Sequence, residues 1–72
     1  MKMMHEATIT VNGTRQPLPA GTTLAELLAR HGWLGKRLAV ERNGAIVPKS
    51  AYAKTLLADG DVIEIVIAVG GG

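Results

Sequence analysis

The sequence contains no cysteine. Disulfide bridges, zinc–thiolate sites and sulfur chemistry on a cysteine side chain are therefore excluded. If the protein handles sulfur, another chemical group has to hold it. The two histidines, His5 and His31, stand far apart with no third ligand beside either of them. We therefore expect no metal site.

Aromatic residues are scarce too, because Trp33 and Tyr52 are the only two in the sequence. Neither falls within a predicted strand, so the sheet offers no platform on which nucleic-acid bases would stack. The net charge is only +2, and the cations are spread along the chain rather than gathered in a run. Binding to nucleic acid is therefore not expected.

Long apolar runs are missing as well. No stretch approaches the roughly 20 residues that cross a membrane, and no signal peptide with a cleavage site precedes the first predicted strand. We expect a cytoplasmic protein with no membrane partner. The 72 residues suffice for one domain with a small core, since a chain of this size hides only about 60% of its surface on folding.

What the sequence does contain is a strongly β-branched segment near its end, Val62–Val69, preceded by the turn residues Asp59-Gly60-Asp61. The segment predicts a strand, and because both of its alternating faces are largely apolar, we expect it at the centre of a sheet. The side-chain period of two directs one set of residues toward the core and another away from it. The inward set is Ile63, Ile65 and Ile67, and the outward set is Glu64, Val66 and Ala68.

Two Asn-Gly pairs, Asn12-Gly13 and Asn43-Gly44, predict two β-hairpins, because both residues accept the positive φ angles of a two-residue turn. Pro17 cannot donate a ladder hydrogen bond, which places its strand at a sheet edge. The four predicted strands are Ala7–Val11 and Thr14–Leu18 in the first hairpin, and Leu38–Arg42 and Ala45–Val47 in the second.

A helix is predicted between the hairpins. Thr23 and Glu26 have the spacing of a capping box, so the helix is expected to begin at Leu24, and Gly32 is expected to end it. His31 lies in the last turn, where the helix dipole favours a partial positive charge, and we expect a structural role for it. The predicted apolar contacts are Leu24, Leu27 and Leu28 on the helix, a small Trp33-Leu34 cluster under a loop, and Tyr52, Leu56 and Leu57.

The predicted order is strand, strand, helix, strand, strand, loop, strand. A crossover that contains the helix separates the first and last strands, so these two are expected to pair in parallel at the centre of a mixed sheet. The arrangement is α+β, with about four to five strands and one main helix packed on one face, and it resembles the β-grasp, or ubiquitin-like, fold. We expect a disordered start over residues 1–6, the domain over 7–69 and a flexible glycine tail over 70–72. The fold alone does not define a function.

Three segments have a more specific likeness: the hairpin Val40–Pro48, the strand Gly60–Val66 and the end Ala68–Gly72. Together they resemble the ThiS family, the sulfur carriers of thiamine biosynthesis, and the likeness extends from about Thr8 to Gly72. The terminal Gly-Gly is shared with the wider group of ubiquitin-like carriers, whereas the other two segments favour the thiamine branch.

The resemblance implies a carrier and substrate rather than an enzyme. A ThiF-type adenylyltransferase would use Mg-ATP to adenylate the carboxylate of Gly72, so the protein itself would bind no cofactor. A sulfur donor, usually a cysteine desulfurase, would convert the adenylate into a thiocarboxylate. A ThiG-type thiazole synthase would then take that sulfur into the thiazole ring of thiamine.

The glycines at the end suit this chemistry. Gly70 and Gly71 have no Cβ, so they are expected to enter the narrow active site of a partner. The residues Val69–Gly72 reach about 13 Å when extended, at roughly 3.3 Å per residue, which leaves the domain outside that site. The chain ends at Gly72, so no protease is expected to be needed to expose the reactive carboxylate.

Outward apolar residues of the last strand predict a docking surface for the partner enzymes beside the tail. Small apolar residues are also common on exposed sheets, so an ordinary surface remains the alternative. The predicted surface comprises Val66, Ala68 and Val69, and Ala39 and Glu41 would continue it.

Two other functions stay open. The same carrier chemistry would serve another pathway, such as molybdopterin synthesis or tRNA thiolation, or would attach the protein to lysines as a modifier. Alternatively, the domain is a small RNA-binding β-grasp module. A salt-dependent affinity for RNA that survives the loss of Gly71 and Gly72 would favour this last function.

Overall fold

Five strands form one mixed sheet in the order β2-β1-β5-β3-β4. The computed structural model describes residues 6–68 of the chain. A 3₁₀ helix, Lys49–Lys54, precedes the last strand. The remaining elements are β1 (Glu6–Val11), β2 (Thr14–Pro19), helix α1 (Leu24–Arg30), β3 (Leu38–Arg42), β4 (Ala45–Val47) and β5 (Val62–Ile67).

The last strand is the central one, as its apolar pattern predicts. It runs parallel to β1, with Val11 opposite Ile63, and antiparallel to β3, with Val40 opposite Ile65. The Pro17-containing strand β2 and the short β4 are the edges. Two hairpins around one helix, with the first and last strands parallel at the centre, make this the expected β-grasp arrangement.

The first strand begins slightly earlier than its predicted boundary. Strand β1 begins at Glu6, one residue before the predicted start at Ala7. The rest of the predicted disordered start, residues 1–5, and the predicted glycine tail with Val69 lie outside the described residues.

The core lies between one face of the sheet and helix α1. Ile63 and Ile65 point into it as predicted, whereas Ile67, toward the end of the strand, is only partly buried. Complete burial of such a side chain stabilises the fold by about 1.5–3 kcal/mol. The most completely buried side chains are Ile9, Leu18, Leu24, Leu27, Leu28, Val40 and Ile63.

The ends of α1 confirm the predicted caps. The backbone N–H of Glu26 donates to Oγ1 of Thr23 at 3.1 Å, and the N–H of Thr23 donates to Oε1 of Glu26 at 2.8 Å. At the other end Gly32 has a φ of 73°, and the N–H of Trp33 donates to the carbonyl of Leu28 at 2.8 Å. Because these bonds satisfy terminal backbone groups, a helix of only seven residues has defined ends.

Two predicted apolar contacts are wrong. Leu56 is 59% exposed, whereas Leu57 is buried in the core as predicted. Successive side chains of an extended segment point in opposite directions, so only one of this pair is able to reach the core. Leu34 is 56% exposed on its loop, whereas Trp33 packs against the core and its ring stacks on His31 with 4.3 Å between centroids.

Candidate functional site

The candidate site is the end of β5, where the chain leaves the sheet toward the predicted tail. This end is held to the residue that precedes β3, because the N–H of Ala68 donates to the carbonyl of Arg37 at 2.9 Å. The predicted site residues Gly70, Gly71 and Gly72, and Val69 beside them, lie outside the described residues. Their roles therefore stay predictions, and the structure describes the elements that position them.

Strand β5 extends beyond the end of its parallel neighbour. The N–H of Asn12 donates to the carbonyl of Ile63 at 2.9 Å, and the main chain of β1 then turns away into its hairpin. The side chain of Asn12 takes the place of the missing strand. Its Oδ1 accepts from the N–H of Ile65 at 2.7 Å, and its Nδ2 donates to the carbonyl of the same residue at 3.1 Å. This amide therefore adds one more step to the parallel ladder.

Asn43, in the other hairpin turn, anchors the opposite side of β5. Its N–H donates to the carbonyl of Val62 at 2.8 Å, and its Oδ1 accepts from the N–H of that residue at 2.8 Å. Asn12 and Asn43 have φ angles of 49° and 52°, as their predicted turns require. Sequence reasoning identified both asparagines as turn residues and missed their bonds to β5. The only available signal was that an amide both donates and accepts, unlike an aspartate in the same position.

Asp61 fixes the start of β5 from a buried position. Its carboxylate accepts from Arg42 Nε at 2.9 Å, Asn43 Nδ2 at 3.0 Å and the N–H of Ala58 at 2.9 Å. Burial raises the pKa of this carboxyl, but the bonds from Ala58, Asn43 and Arg42 together outweigh burial, so the pKa is lowered from its ordinary value. Sequence reasoning treated Asp61 only as a turn residue. Its role is structural, since all three donors belong to neighbouring elements of the fold.

The sheet face opposite α1 presents the outward residues of β5. Val66 is 67% exposed, and its cross-strand partner is the exposed Ala39. Around them lies a shallow groove of about 280 Å³ that is lined by Arg37, Leu38, Ala39, Val66 and Ala68. Two residues of the predicted docking surface, Val66 and Ala68, thus share one surface with Ala39.

The same face has an unfavourable feature. Glu41 and Glu64 are directly opposite each other on β3 and β5, and both are exposed. Like charges across a strand pair are destabilising. Glu41 therefore continues the face, as predicted, and makes it partly acidic.

Metal-ligand clusters and membrane-spanning helices are both absent from residues 6–68. No group of three or more histidine, aspartate or glutamate residues that would hold a metal ion occurs in this range. None of the helices described there is long and apolar enough to cross a membrane.

A small β-grasp domain whose central strand leads into a run of glycines belongs to the ubiquitin-like class of proteins. Comparison with known proteins defines the relationship further. The ThiS family matches residues 8–72, so the chain belongs to the ThiS family.

Individual relatives agree with this assignment. The sulfur carrier protein ThiS of Bacillus subtilis is 48% identical over 50 residues, which cover 69% of this chain and 76% of that protein. The thiazole synthases of Paramagnetospirillum magneticum and Magnetococcus marinus are 44% and 42% identical over 64 residues, or 89% of this chain. That match is 20% of each synthase, so the chain spans about a fifth of their length.

A solved structure confirms the fold. The crystal structure of a thiamine biosynthesis protein (ThiS) from Geobacter metallireducens superimposes with a TM-score of 0.76 at 29% sequence identity. The match covers 90% of this chain and 99% of that one.

Proposed function

We propose that this protein is a sulfur carrier for the synthesis of the thiamine thiazole, and that it acts as the substrate of partner enzymes rather than as an enzyme. One observation supports this most directly. In a chain of the ThiS family, the central strand β5 is anchored on both sides by Asn12 and Asn43, and the sequence that follows it ends in Gly70–Gly72. A fixed strand followed by residues without side chains suits the delivery of a terminal carboxylate into another protein.

The proposed chemistry takes place on the carboxylate of Gly72. One carboxylate oxygen attacks the α-phosphorus of ATP, which a ThiF-type adenylyltransferase holds with Mg²⁺, and pyrophosphate leaves. The terminal sulfur of a persulfide, as formed on a cysteine desulfurase, then attacks the acyl carbon, and AMP leaves. A thiol reduces the resulting acyl disulfide, which releases the thiocarboxylate. In this scheme Mg-ATP is bound by the partner and not by the carrier.

The thiazole synthase is the proposed recipient of the sulfur. Two proteins named thiazole synthase contain a stretch similar to 89% of this chain, which supports a link between the carrier and that activity. Pull-down of purified thiazole synthase by the protein tests this branch. Failure to bind it, with sulfur loading intact, would indicate a carrier for another pathway.

We assign partner docking to the exposed face beside the tail. Val66 and Ala68 lie on this face, and the predicted contribution of Val69, which lies outside the described residues, stays a prediction. Val66 is apolar and 67% exposed. A partner that covers it would bind more favourably by about 25 cal/mol for each Å² of apolar surface removed from water. The groove is thus suited to a partner that also receives the tail.

The test of the carrier function is the intact mass of the protein after incubation with a ThiF-type enzyme, Mg-ATP, a persulfide donor and a thiol. We expect one oxygen to be replaced by sulfur in the full chain and no change in a variant that lacks Gly72. An unmodified mass, with an enzyme shown to be active on another carrier, would contradict the proposal.

A further inference from the structure

A second cavity, of about 210 Å³, opens at the same end of the molecule but on the helix side of the sheet. It lies between the end of α1, the loop that follows it, β3 and the 3₁₀ helix. Leu28, Trp33 and Tyr52 form its apolar part, and the first and last of these are buried in the core. The cavity is therefore a pocket with a firm apolar floor rather than an opening between loops.

Three cations surround this pocket. Lys36, Arg37 and Lys49 line it, all three are exposed, and no carboxylate is among the lining residues. Within residues 6–68 the structure has one salt bridge, between Arg42 and Asp61. Lys36, Arg37 and Lys49 therefore form no salt bridge in this part of the chain. Three of the eight lysines and arginines of the chain thus converge on one apolar pocket.

The pocket lies next to the end of β5, from which the chain continues toward the predicted tail. Leu38 also lines it and is the cross-strand partner of Ile67, the last residue of β5. Arg37, on the rim, accepts the N–H of Ala68 through its carbonyl. A protein that takes the tail into its active site therefore comes close to this rim.

Trp33 is held in place before any partner arrives. Its ring stacks on His31 with an angle of 12° between the planes, and His31 Nε2 lies 3.4 Å from the side-chain Nε2 of Gln16 on β2. A side chain fixed in this way loses little entropy on binding, which favours a pocket that exists in the free protein.

We propose that this pocket receives an acidic segment of the adenylating enzyme, with one apolar or aromatic side chain inserted between Trp33 and Tyr52. The inference rests on the proposed function. We infer the inserted side chain from the apolar floor of the pocket, and the carboxylates beside it from the three cations. Rim charges mainly accelerate encounter and add modest affinity, which suits a carrier that has to bind and leave several partners in turn. The adenylating enzyme is the first of these partners.

Charge reversal tests the acidic occupant. We expect the double variant Lys36→Glu/Lys49→Glu to lower the affinity for a purified ThiF-type enzyme by about tenfold or more at low salt, with most of the loss in the association rate. The difference from the unmodified protein should shrink at high salt. The double variant Arg15→Glu/Lys54→Glu is the matched control, because it changes the net charge by the same amount and because both residues are exposed but do not line the pocket. Equal losses in the control and in Lys36→Glu/Lys49→Glu would overturn the proposal.

The single tryptophan gives a readout for the apolar part. Labelled with 5-fluorotryptophan, the protein has one ¹⁹F signal, from Trp33, which should shift when the unlabelled enzyme binds. An unchanged signal in a complex shown to form would contradict insertion beside Trp33.

Sulfur loading at saturating enzyme separates this inference from the proposed function. If the unmodified protein gains sulfur but the double variant binds the enzyme equally well, the carrier function stands and the pocket assignment is wrong. If the double variant binds thiazole synthase more weakly but binds the adenylating enzyme normally, the pocket does not receive the adenylating enzyme and this proposal is wrong. If the unmodified protein gains no sulfur with a competent enzyme, the carrier function itself fails.

Discussion

The side-chain amide of Asn12 makes two hydrogen bonds to the backbone of Ile65, at 2.7 and 3.1 Å. The N–H and carbonyl of Ile65 lie beyond the end of β1, so without these bonds neither group would have a hydrogen-bond partner on that side of β5. A side chain in a hairpin turn thus stabilises the half of β5 that leads to the tail, and it links the first turn of the chain to the proposed working end.

Asn12→Gly should remove these bonds and leave the turn intact, since glycine adopts the positive φ of this position without strain. We expect a loss of about 1–2 kcal/mol in the free energy of unfolding, measured by urea denaturation. Hydrogen exchange should accelerate at the amide of Ile65 more than at that of Val40, which belongs to β3. Equal acceleration at both amides would indicate general destabilisation rather than the loss of a local anchor.

Asp61 should make stability depend on acid. Because its pKa is lowered in the folded protein, the unfolded chain binds a proton more readily, and falling pH favours unfolding. Its contribution is complete above the ordinary aspartate pKa of about 3.9 and is lost as the pH falls through the lower folded value. Asp61→Ala should cost about 2–3 kcal/mol at neutral pH, because it leaves Asn43 and the N–H of Ala58 without their acceptor.

Urea denaturation of the unmodified protein and of Asp61→Ala across the acidic range measures this effect. The two stabilities should converge as the pH falls below about 4. A constant difference over that range would show that the carboxylate charge is not the source of the stabilisation.

The opposed pair Glu41 and Glu64 predicts a stabilising substitution. Glu64→Lys would replace a like-charge pair by an opposite-charge pair on an exposed face, which should raise the free energy of unfolding by about 0.5 kcal/mol at low salt. Glu64→Gln removes the repulsion alone and should give a smaller increase. Denaturation at low and high salt checks the mechanism, since screening should remove most of the difference. A gain that does not depend on salt would point to strand propensity instead.

Local patterns were enough to predict most of the fold. The alternation of Ile63 and Ile65, the two Asn-Gly turns and the Thr23–Glu26 box each depend on residues close together in the sequence, and the structure has all three. The parallel pairing of β1 and β5 followed from the crossover between them.

What the sequence could not reveal depends on contacts between distant segments. Asn12 and Ile65 are 53 residues apart, and nothing in the turn pattern indicates where its amide points. Two of the three partners of Asp61, Arg42 and Asn43, belong to the other hairpin, so the sequence did not show that its carboxylate is buried and bonded. The choice between Leu56 and Leu57 depended on which side of an extended segment faces the core, which composition does not determine.

Val66→Lys should weaken docking without disturbing the fold. Because Val66 is 67% exposed, the substitution is expected to change the free energy of unfolding by no more than about 0.5 kcal/mol. Binding to a ThiF-type enzyme should nevertheless fall, since a charged group would have to be buried against the partner. Ile46→Lys is the control: Ile46 is 65% exposed on β4, opposite Glu41 and away from the tail. If both variants bind as the unmodified protein does, the groove is not the docking surface.

Substitutions in the core and changes at the C-terminal glycine should affect different properties, namely the stability of the domain and its loading with sulfur. Val40 is completely buried at the centre of β3, so Val40→Asp places an unpaired charge in the core and should cost about 4 kcal/mol or more. For a domain of this size, whose total stability is about 4–10 kcal/mol, that is enough to unfold a large fraction of the protein. Val40→Ala, which removes volume without adding charge, should cost about 2 kcal/mol and leave sulfur loading measurable.

Deletion of Gly72 should have the opposite effect. The melting temperature is expected to stay within about a degree of the original value, because terminal residues generally contribute little to stability. Sulfur loading is expected to be abolished. Thermal denaturation and intact mass on the same samples test both expectations. A large fall in melting temperature on loss of Gly72 would mean that the tail packs on the domain, and the division into a rigid scaffold and a free carboxylate would then be wrong.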